Sequence, residues 1–290
     1  MKLIKYFFQY LLIIFSFLLF KILGPNLSSS LSGKIFEIIG PFFRSEKIIH
    51  SNIKKAISNI DTNYLKKITK LMWNNYGRTF AEYLFIKDFR FGSLKSNVEI
   101  EGQDVLNQIL KSNKQVIFIS GHLGNFELMA MYLDSVGVNL CAIYRPLNNV
   151  FLNGIMEKIR KTYICKNQIK KGLVGTRETI HYIKNNTSIA LMVDQRVGES
   201  ERSPFFNIPA HTTTIPAQLA LKFNLDIIPI YLERKNDNSF YMEVQEPIKY
   251  SKTSNPEQDK KNITVNINKK IEKMILRNPG QWIWTHSRWK

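Results

Sequence analysis

His122 and Glu127 stand five positions apart in the segment Gly121-His122-Leu123-Gly124-Asn125-Phe126-Glu127, directly after the apolar run Gln115 to Ser120. An imidazole beside a carboxylate is a general-base unit, because the acid holds one tautomer and stabilises the imidazolium that forms when the ring takes a proton. On one continuous helix, residues five apart are rotated by about 140°, so these side chains meet only if the chain is not yet helical at His122. Gly121 and Gly124 permit a tight turn there, at the carboxyl end of a strand, where open α/β sheets place their ligands. Asn125 is the expected helix N-cap, which puts Glu127 in the first helical turn, where the helix dipole favours an ionised carboxylate. The chemistry expected is removal of a proton from a substrate hydroxyl, the logic of the serine-protease triad with the enzyme's serine replaced by the substrate. The alternative is a strand-end histidine that only caps backbone groups.

The elements that position this pair are read from hydrophobic periodicity. Gln115 to Ser120, Val138 to Tyr144, Thr187 to Val193 and Asp226 to Leu232 read as buried strands. Helical stretches separate them around Phe126 to Ser135, Phe151 to Tyr163, Arg177 to Lys184 and Ile215 to Phe223. That rhythm predicts an α/β fold with a mostly parallel central sheet flanked by helices. Phe240 to Val244 reads as an added antiparallel strand after the turn Asn236-Asp237-Asn238, and Glu257 to Leu276 as a closing helix.

The 290 residues, 44% of them hydrophobic, exclude a disordered chain and fit one α/β domain with appendages. The net charge of +18 implies an anionic partner: a membrane surface, a phosphorylated substrate or an acidic protein. The lysines are spread rather than interleaved with a stacking platform, and no recognised nucleic-acid motif is present, so no nucleic-acid partner is expected. Cys141 and Cys165 have no metal-ligand or CxxC spacing, which fits a reducing compartment and assigns no metal.

From Leu3 to Leu23 the chain is mostly Phe, Leu, Ile and Tyr, long enough as a helix to cover about 30 Å of hydrocarbon. No small-x-small cleavage site follows, and Gly24-Pro25 is expected to end the helix, so the segment reads as a membrane anchor rather than a signal peptide. Its length and composition suit either a span across the membrane or a helix lying in the interface. Lys34, Arg44, Lys47, Lys54 and Lys55 follow it and favour a cytoplasmic catalytic part. Two basic amphipathic helices are predicted next, with Ile53, Ala56, Ile57 and Ile60 on the apolar face of one and Leu65, Ile68, Leu71 and Met72 on the other. The expected organisation is an anchor over 1–24, a basic helical region over 25–95 packed on the core, and a catalytic domain over 96–290.

The chain resembles the lipid A late acyltransferases, the lauroyl and myristoyl transferases of lipopolysaccharide assembly, whose members carry histidine, four residues, then aspartate or glutamate. The resemblance rests on the block Gly121 to Glu127, on Asn74-Asn75-Tyr76-Gly77-Arg78 with Glu82, and on Tyr144-Arg145-Pro146 with Asn149. It extends through Asp194-Gln195, Pro204-Phe205-Phe206 with Pro209-Ala210, and Pro279-Gly280-Gln281-Trp282-Ile283-Trp284-Thr285-His286 with Arg288. With the apolar N-terminus these blocks cover nearly the whole chain in family order. The resemblance implies transfer of a fatty acyl group from acyl carrier protein to a hydroxyl of a lipid A precursor at the inner membrane, with no cofactor, since the thioester supplies activation.

His122 is then the expected base and Glu127 its orienting acid. Arg160 matches a functional arginine of the family and is read either as an oxyanion donor or as a solvent-facing helix residue. Arg145, at a strand end, is expected to meet substrate phosphates or sugars. Asp194 and Gln195 end another strand on the same edge and serve either a sugar headgroup and the active-site side chains or a plain turn. Trp282, Trp284, His286 and Arg288 alternate onto one face of an extended segment, with packing the favoured reading for the indoles. Two rival functions are an acyltransferase using another acceptor, such as glycerol phosphate or a different glycolipid, and a noncatalytic basic protein that binds membrane surfaces.

Overall fold

The computed structural model describes residues 1–198, 200–236 and 238–290, with the backbone alone of Leu173. Asp237 of the expected turn Asn236-Asp237-Asn238 lies outside the described residues. In chain order the elements are α1 (Lys2–Phe43), α2 (Glu46–Ala56), α3 (Thr62–Glu82), α4 (Ile86–Phe91), β1 (Val98–Glu101), α5 (Gln103–Ser112), β2 (Val116–Ser120), α6 (Glu127–Ser135) and β3 (Leu140–Tyr144). They continue as α7 (Val150–Ile159), β4 (Asn167–Lys170), α8 (Leu173–Lys184), β5 (Ser188–Met192), the hairpin β6 (Arg202–Phe205) and β7 (Ile208–His211), α9 (Ile215–Phe223), β8 (Asp226–Arg234), β9 (Phe240–Val244) and α10 (Pro256–Arg277).

Seven strands form one sheet in the order β1-β9-β8-β2-β5-β3-β4. The five from β8 to β4 are mutually parallel, β9 joins β8 antiparallel, and β1 lies parallel to β9. β2 is buried on both faces, and its residues alternate between two cores: Ile117 and Ile119 face Ile49, Leu65, Ile68, Ile271 and Trp282, while Val116 and Phe118 face Ile86, Leu128, Leu133 and Phe240. Helices therefore cover both sides, and the apolar strands require that cover. The α/β fold with a mostly parallel central sheet is the one expected from the alternation of strand and helix. The short strands β1 and β4 and the β6–β7 hairpin were not legible in that pattern.

The N-terminal helix departs from expectation. Gly24 (φ 75°, ψ 172°) breaks the helical path as anticipated, but the chain resumes helix at Pro25 and continues to Phe43. The first part projects bare apolar side chains, and the helix is long and apolar enough to cross a membrane. The second part packs on α3 through small residues: Ser28, Ser29, Ser32, Gly33 and Gly40 are its buried positions after Gly24. A Cβ on Gly40 would stand 2.2 Å from the Trp73 ring, and one on Gly77 of α3 would stand 2.4 Å from the Ser32 carbonyl oxygen. The two helices thus approach to a separation that only glycine permits. Its outer stripe, Leu27, Leu31, Ile35, Ile38 and Phe42, stays exposed. Two basic helices, α2 and α3, form in this region, but α2 starts earlier and ends at Ala56, so Ile57 and Ile60 lie beyond it, and Leu71 of α3 is exposed; Asp61 caps α3 by accepting from the Asn63 and Tyr64 amides at 2.9 Å each.

Candidate active site

The carboxyl ends of four parallel strands line one edge: β2 delivers His122, β5 delivers Asp194, β3 delivers Arg145, and β4 ends beside it. Between β2 and α6 the chain turns through Gly124, whose φ of +53° lies in the left-handed region that favours glycine. The turn leaves the His122 side chain 19% exposed while Leu123 and Asn125 are buried. His122 Nδ1 lies 2.8 Å from Asp194 Oδ1, and the His122 backbone N–H donates to Asp194 Oδ2 at 2.9 Å. The Phe126 ring meets the imidazole edge to face at 4.6 Å between centroids. Among the described residues no group hydrogen-bonds Nε2, so the ring has one nitrogen held and one free.

Asp194 is 1% exposed. Burial alone would push its pKa up, but the charge and hydrogen bonds of His122, together with a hydrogen bond from Trp282, outweigh it and hold the carboxyl down at about 2. Trp282 Nε1–H donates to Asp194 Oδ2 at 2.7 Å. The packing role expected for the indoles holds: Trp282 and Trp284 are buried edge to face, with centroids 4.5 Å apart. The hydrogen bond of Trp282 to the carboxylate was not anticipated. Their segment is not a continuous strand, because a single bridge joins Trp282 to Leu123 and tight turns follow. His286, further along it, is driven down to about pKa 4, first by burial, and Arg288 is buried with its guanidinium on the His211 carbonyl and Thr212 Oγ1.

Glu127 does not hold the imidazole. Its Oε1 accepts from Arg160 Nε at 3.1 Å and from Nη2 at 2.5 Å, with both side chains largely buried. The expected orienting carboxylate is therefore replaced by Asp194, and the reason is topological: β5 is the immediate neighbour of β2, so its end faces His122, whereas Glu127 has already turned onto α6 and faces the C-terminal end of α7. Arg160 begins a widened π turn, Arg160–Ile164, and lies over the Tyr144 ring at 5.2 Å. Of its two sequence readings, the solvent-facing one is excluded.

Asn125 is not the helix cap, since α6 starts at Glu127 with Phe126 preceding it. Its side-chain amide instead donates through Nδ2 to the buried Glu82 carboxylate at 3.0 Å, a charge-assisted hydrogen bond. Arg145 is exposed just past β3, and Gln195 is half-buried beside Asp194. Both cysteines are free and buried; burial raises the Cys141 thiol and pushes Cys165 up to about 12, which leaves neither as a thiolate. Among the described residues no group of three or more His, Cys, Asp or Glu is placed to hold a metal ion.

The arrangement can take a proton at Nε2 and hold the resulting imidazolium against a buried carboxylate. The lipid A biosynthesis palmitoleoyltransferase of Escherichia coli (strain K12) is 24% identical over 268 residues, covering 90% of this chain and 84% of that protein. The lauroyltransferase of the same organism is 22% identical over 252 residues, 85% of this chain and 79% of its own. A lipid A biosynthesis acyltransferase of Haemophilus influenzae (strain ATCC 51907 / DSM 11121 / KW20 / Rd) is 24% identical over 254 residues, 85% and 78% of the two chains. The family model described as bacterial lipid A biosynthesis acyltransferase matches residues 1–290, and the chain belongs to that family.

Proposed function

We propose that the protein transfers a fatty acyl group from an acyl carrier protein thioester to a hydroxyl of a lipid A precursor at the cytoplasmic face of the bacterial inner membrane. The observation that carries this reading is the His122–Asp194 contact at 2.8 Å with Nε2 left free at a strand-end edge. His122 removes the proton from the acceptor hydroxyl as that oxygen attacks the thioester carbonyl. Asp194 fixes the Nδ1–H tautomer and stabilises the imidazolium. The tetrahedral intermediate collapses by breaking the carbon–sulfur bond, and the imidazolium returns its proton to the departing thiolate. Arg160, held by Glu127, supplies guanidinium donors beside the developing oxyanion. Arg145 and Gln195 face the same edge and serve the polar headgroup of the acceptor, while Asn125 keeps the turn in place. No cofactor is needed for this sequence of steps.

The bare apolar face of α1 and the exposed Val150, Phe151 and Ile155 of α7 support membrane association. Phe7 packs on Phe151 at 5.7 Å and Asn149 Nδ2 donates to the Tyr6 carbonyl at 2.8 Å, so the anchor adjoins the helix that leads to Arg160. An anchor over 1–24, a helical region over 25–95 and a catalytic domain over 96–290 fit this division of labour. The excess of 41 basic over 23 acidic residues suits an acidic carrier protein and anionic lipid.

The test is acyl transfer in vitro with a defined acyl carrier protein donor and a lipid A precursor, followed by mass spectrometry of the product. His122→Ala is expected to lose at least about a thousandfold in kcat while remaining membrane-bound. Unchanged turnover in that variant removes the base, and acylation of glycerol phosphate in place of the glycolipid reassigns the acceptor.

A further inference from the structure

Behind the His122 turn lies a buried polar network that the reaction itself does not use. Glu82 at the end of α3 is 3% exposed and Arg234 at the end of β8 is 8% exposed. Both terminal nitrogens of Arg234 donate to the Glu82 carboxylate, Nη2 at 3.0 Å, while Arg234 Nε donates to Asn75 Oδ1 at 3.2 Å. Asn125 Nδ2 donates to Glu82 Oε2 at 3.0 Å, and from α1 Ser29 Oγ donates to Glu82 Oε1 at 2.7 Å. The Gly124 carbonyl accepts from Asn75 Nδ2 at 3.1 Å and from Thr79 Oγ1 at 3.0 Å. Gln281 closes the other side, accepting from the Arg234 amide at 2.7 Å and donating to its carbonyl at 2.8 Å, next to the Trp282 that bonds Asp194.

We propose that Glu82 and Arg234 are a positioning pair that fixes the Gly124-Asn125 turn, and with it the placement of His122. A buried ion pair adds little net stability over apolar side chains of the same volume, so stability alone does not account for two charges at this depth. Geometry does. Three side chains of α3, Asn75, Thr79 and Glu82, bond two consecutive residues of one turn while Arg234 of β8 and Ser29 of α1 hold Glu82 from behind, and a base displaced by about 1 Å from its target costs about a hundredfold in rate.

The experiment compares Glu82→Met, the paired change Glu82→Met with Arg234→Met, Thr79→Val and Ser32→Ala in the full-length enzyme, each read by Tm, by kcat and by KM for donor and acceptor. The single Glu82→Met change strands a buried guanidinium and lowers both Tm and kcat. The paired change removes both charges and recovers most of the Tm, yet kcat stays down by about 30-fold with both KM values within about twofold of wild type. Thr79→Val, which removes one donor to the Gly124 carbonyl and keeps the shape, lowers kcat about fivefold at unchanged KM. Ser32→Ala removes an equally buried α1–α3 hydrogen bond, to the Gly77 carbonyl, and lowers Tm without lowering kcat. The acid limb of kcat/KM does not move in any of them, because the His122–Asp194 contact is intact.

Recovery of kcat together with Tm in the paired variant, or wild-type kcat in Thr79→Val, reduces the network to a structural role and overturns the proposal. The proposal rests on His122 as the base. Turnover retained in His122→Ala sinks that reading, whereas an inactive His122→Ala beside fully active Glu82 and Thr79 variants sinks the positioning role alone.

Discussion

Trp282 follows Asp194 by 88 residues and places its indole N–H 2.7 Å from the Asp194 Oδ2 atom, on the carboxylate whose other oxygen faces His122. The indole is 1% exposed, so the bond is shielded from water and the carboxylate is held in one orientation. Trp282→Phe keeps the ring in the core and removes the donor. The expected result is a fall of about tenfold in kcat, roughly 1.4 kcal/mol, with a lowered Tm and KM values near wild type. Steady-state kinetics with both substrates varied checks it, and unchanged kcat leaves Trp282 as packing only.

Asp194→Asn retains shape but presents an amide to the imidazole, which favours the wrong tautomer. A loss of kcat of about 10³ to 10⁴ is expected, by analogy with the serine-protease acid. Glu127→Gln acts elsewhere: it weakens the hold on Arg160 and is expected to lower kcat by about 10 to 100-fold without altering the pH dependence of kcat/KM. Measuring the two pH profiles side by side separates the acid that serves His122 from the acid that serves Arg160. A Glu127→Gln profile displaced like that of Asp194→Asn would return Glu127 to the imidazole.

Acid stability follows from two groups of opposite type, the buried Asp194 and the half-buried His286. His286, held down at about 4 against an ordinary 6.5, stays neutral in the fold while the unfolded chain takes up a proton below pH 6.5. Stability is therefore flat above that point and falls as pH drops from 6.5 toward 4. Asp194, held at about 2 against 3.8, contributes stability that is complete above 3.8 and is lost as pH falls through 2. Denaturant midpoints measured in steps from pH 7.5 to 4 are expected to decline for the wild type and to decline less for His286→Gln. Parallel curves would mean that His286 does not contribute.

The close approach of α1 and α3 has a simple test. Gly40→Ala places a methyl 2.2 Å from the Trp73 ring, so the helices must separate or the indole must turn. Destabilisation of about 1 to 3 kcal/mol is expected, seen as a lower Tm in detergent, and an unchanged Tm would show that α1 seats loosely.

The periodicity of apolar residues was enough to read five of the sheet's seven strands, because a strand buried on both faces must be apolar along its length and an amphipathic helix must repeat near 3.6 residues. Gln115 to Ser120, Ile215 to Phe223 and Phe240 to Val244 match β2, α9 and β9 to within a residue. Strands of four residues such as β1 and β4 carry too few positions for such a signal. His122, Asp194, Arg160 and Arg145 were singled out because a polar residue just past a buried strand, or in a family block, has little packing to do.

Which of them touch was decided only by the tertiary structure. Spacing along the chain put Glu127 beside His122, but neighbours in a parallel sheet are set by strand order, and that order seats Asp194 of β5 against the imidazole. Arg234 carried no local signal, and nothing in the segments of Glu82 and Trp282 named their partners: Glu82 meets Arg234 across 152 residues and Trp282 meets Asp194 across 88, and no pattern within one segment encodes a partner that far away. Local composition determined which elements form and where polar groups emerge, while long-range packing chose the acid, the clamp and the seat of the first helix.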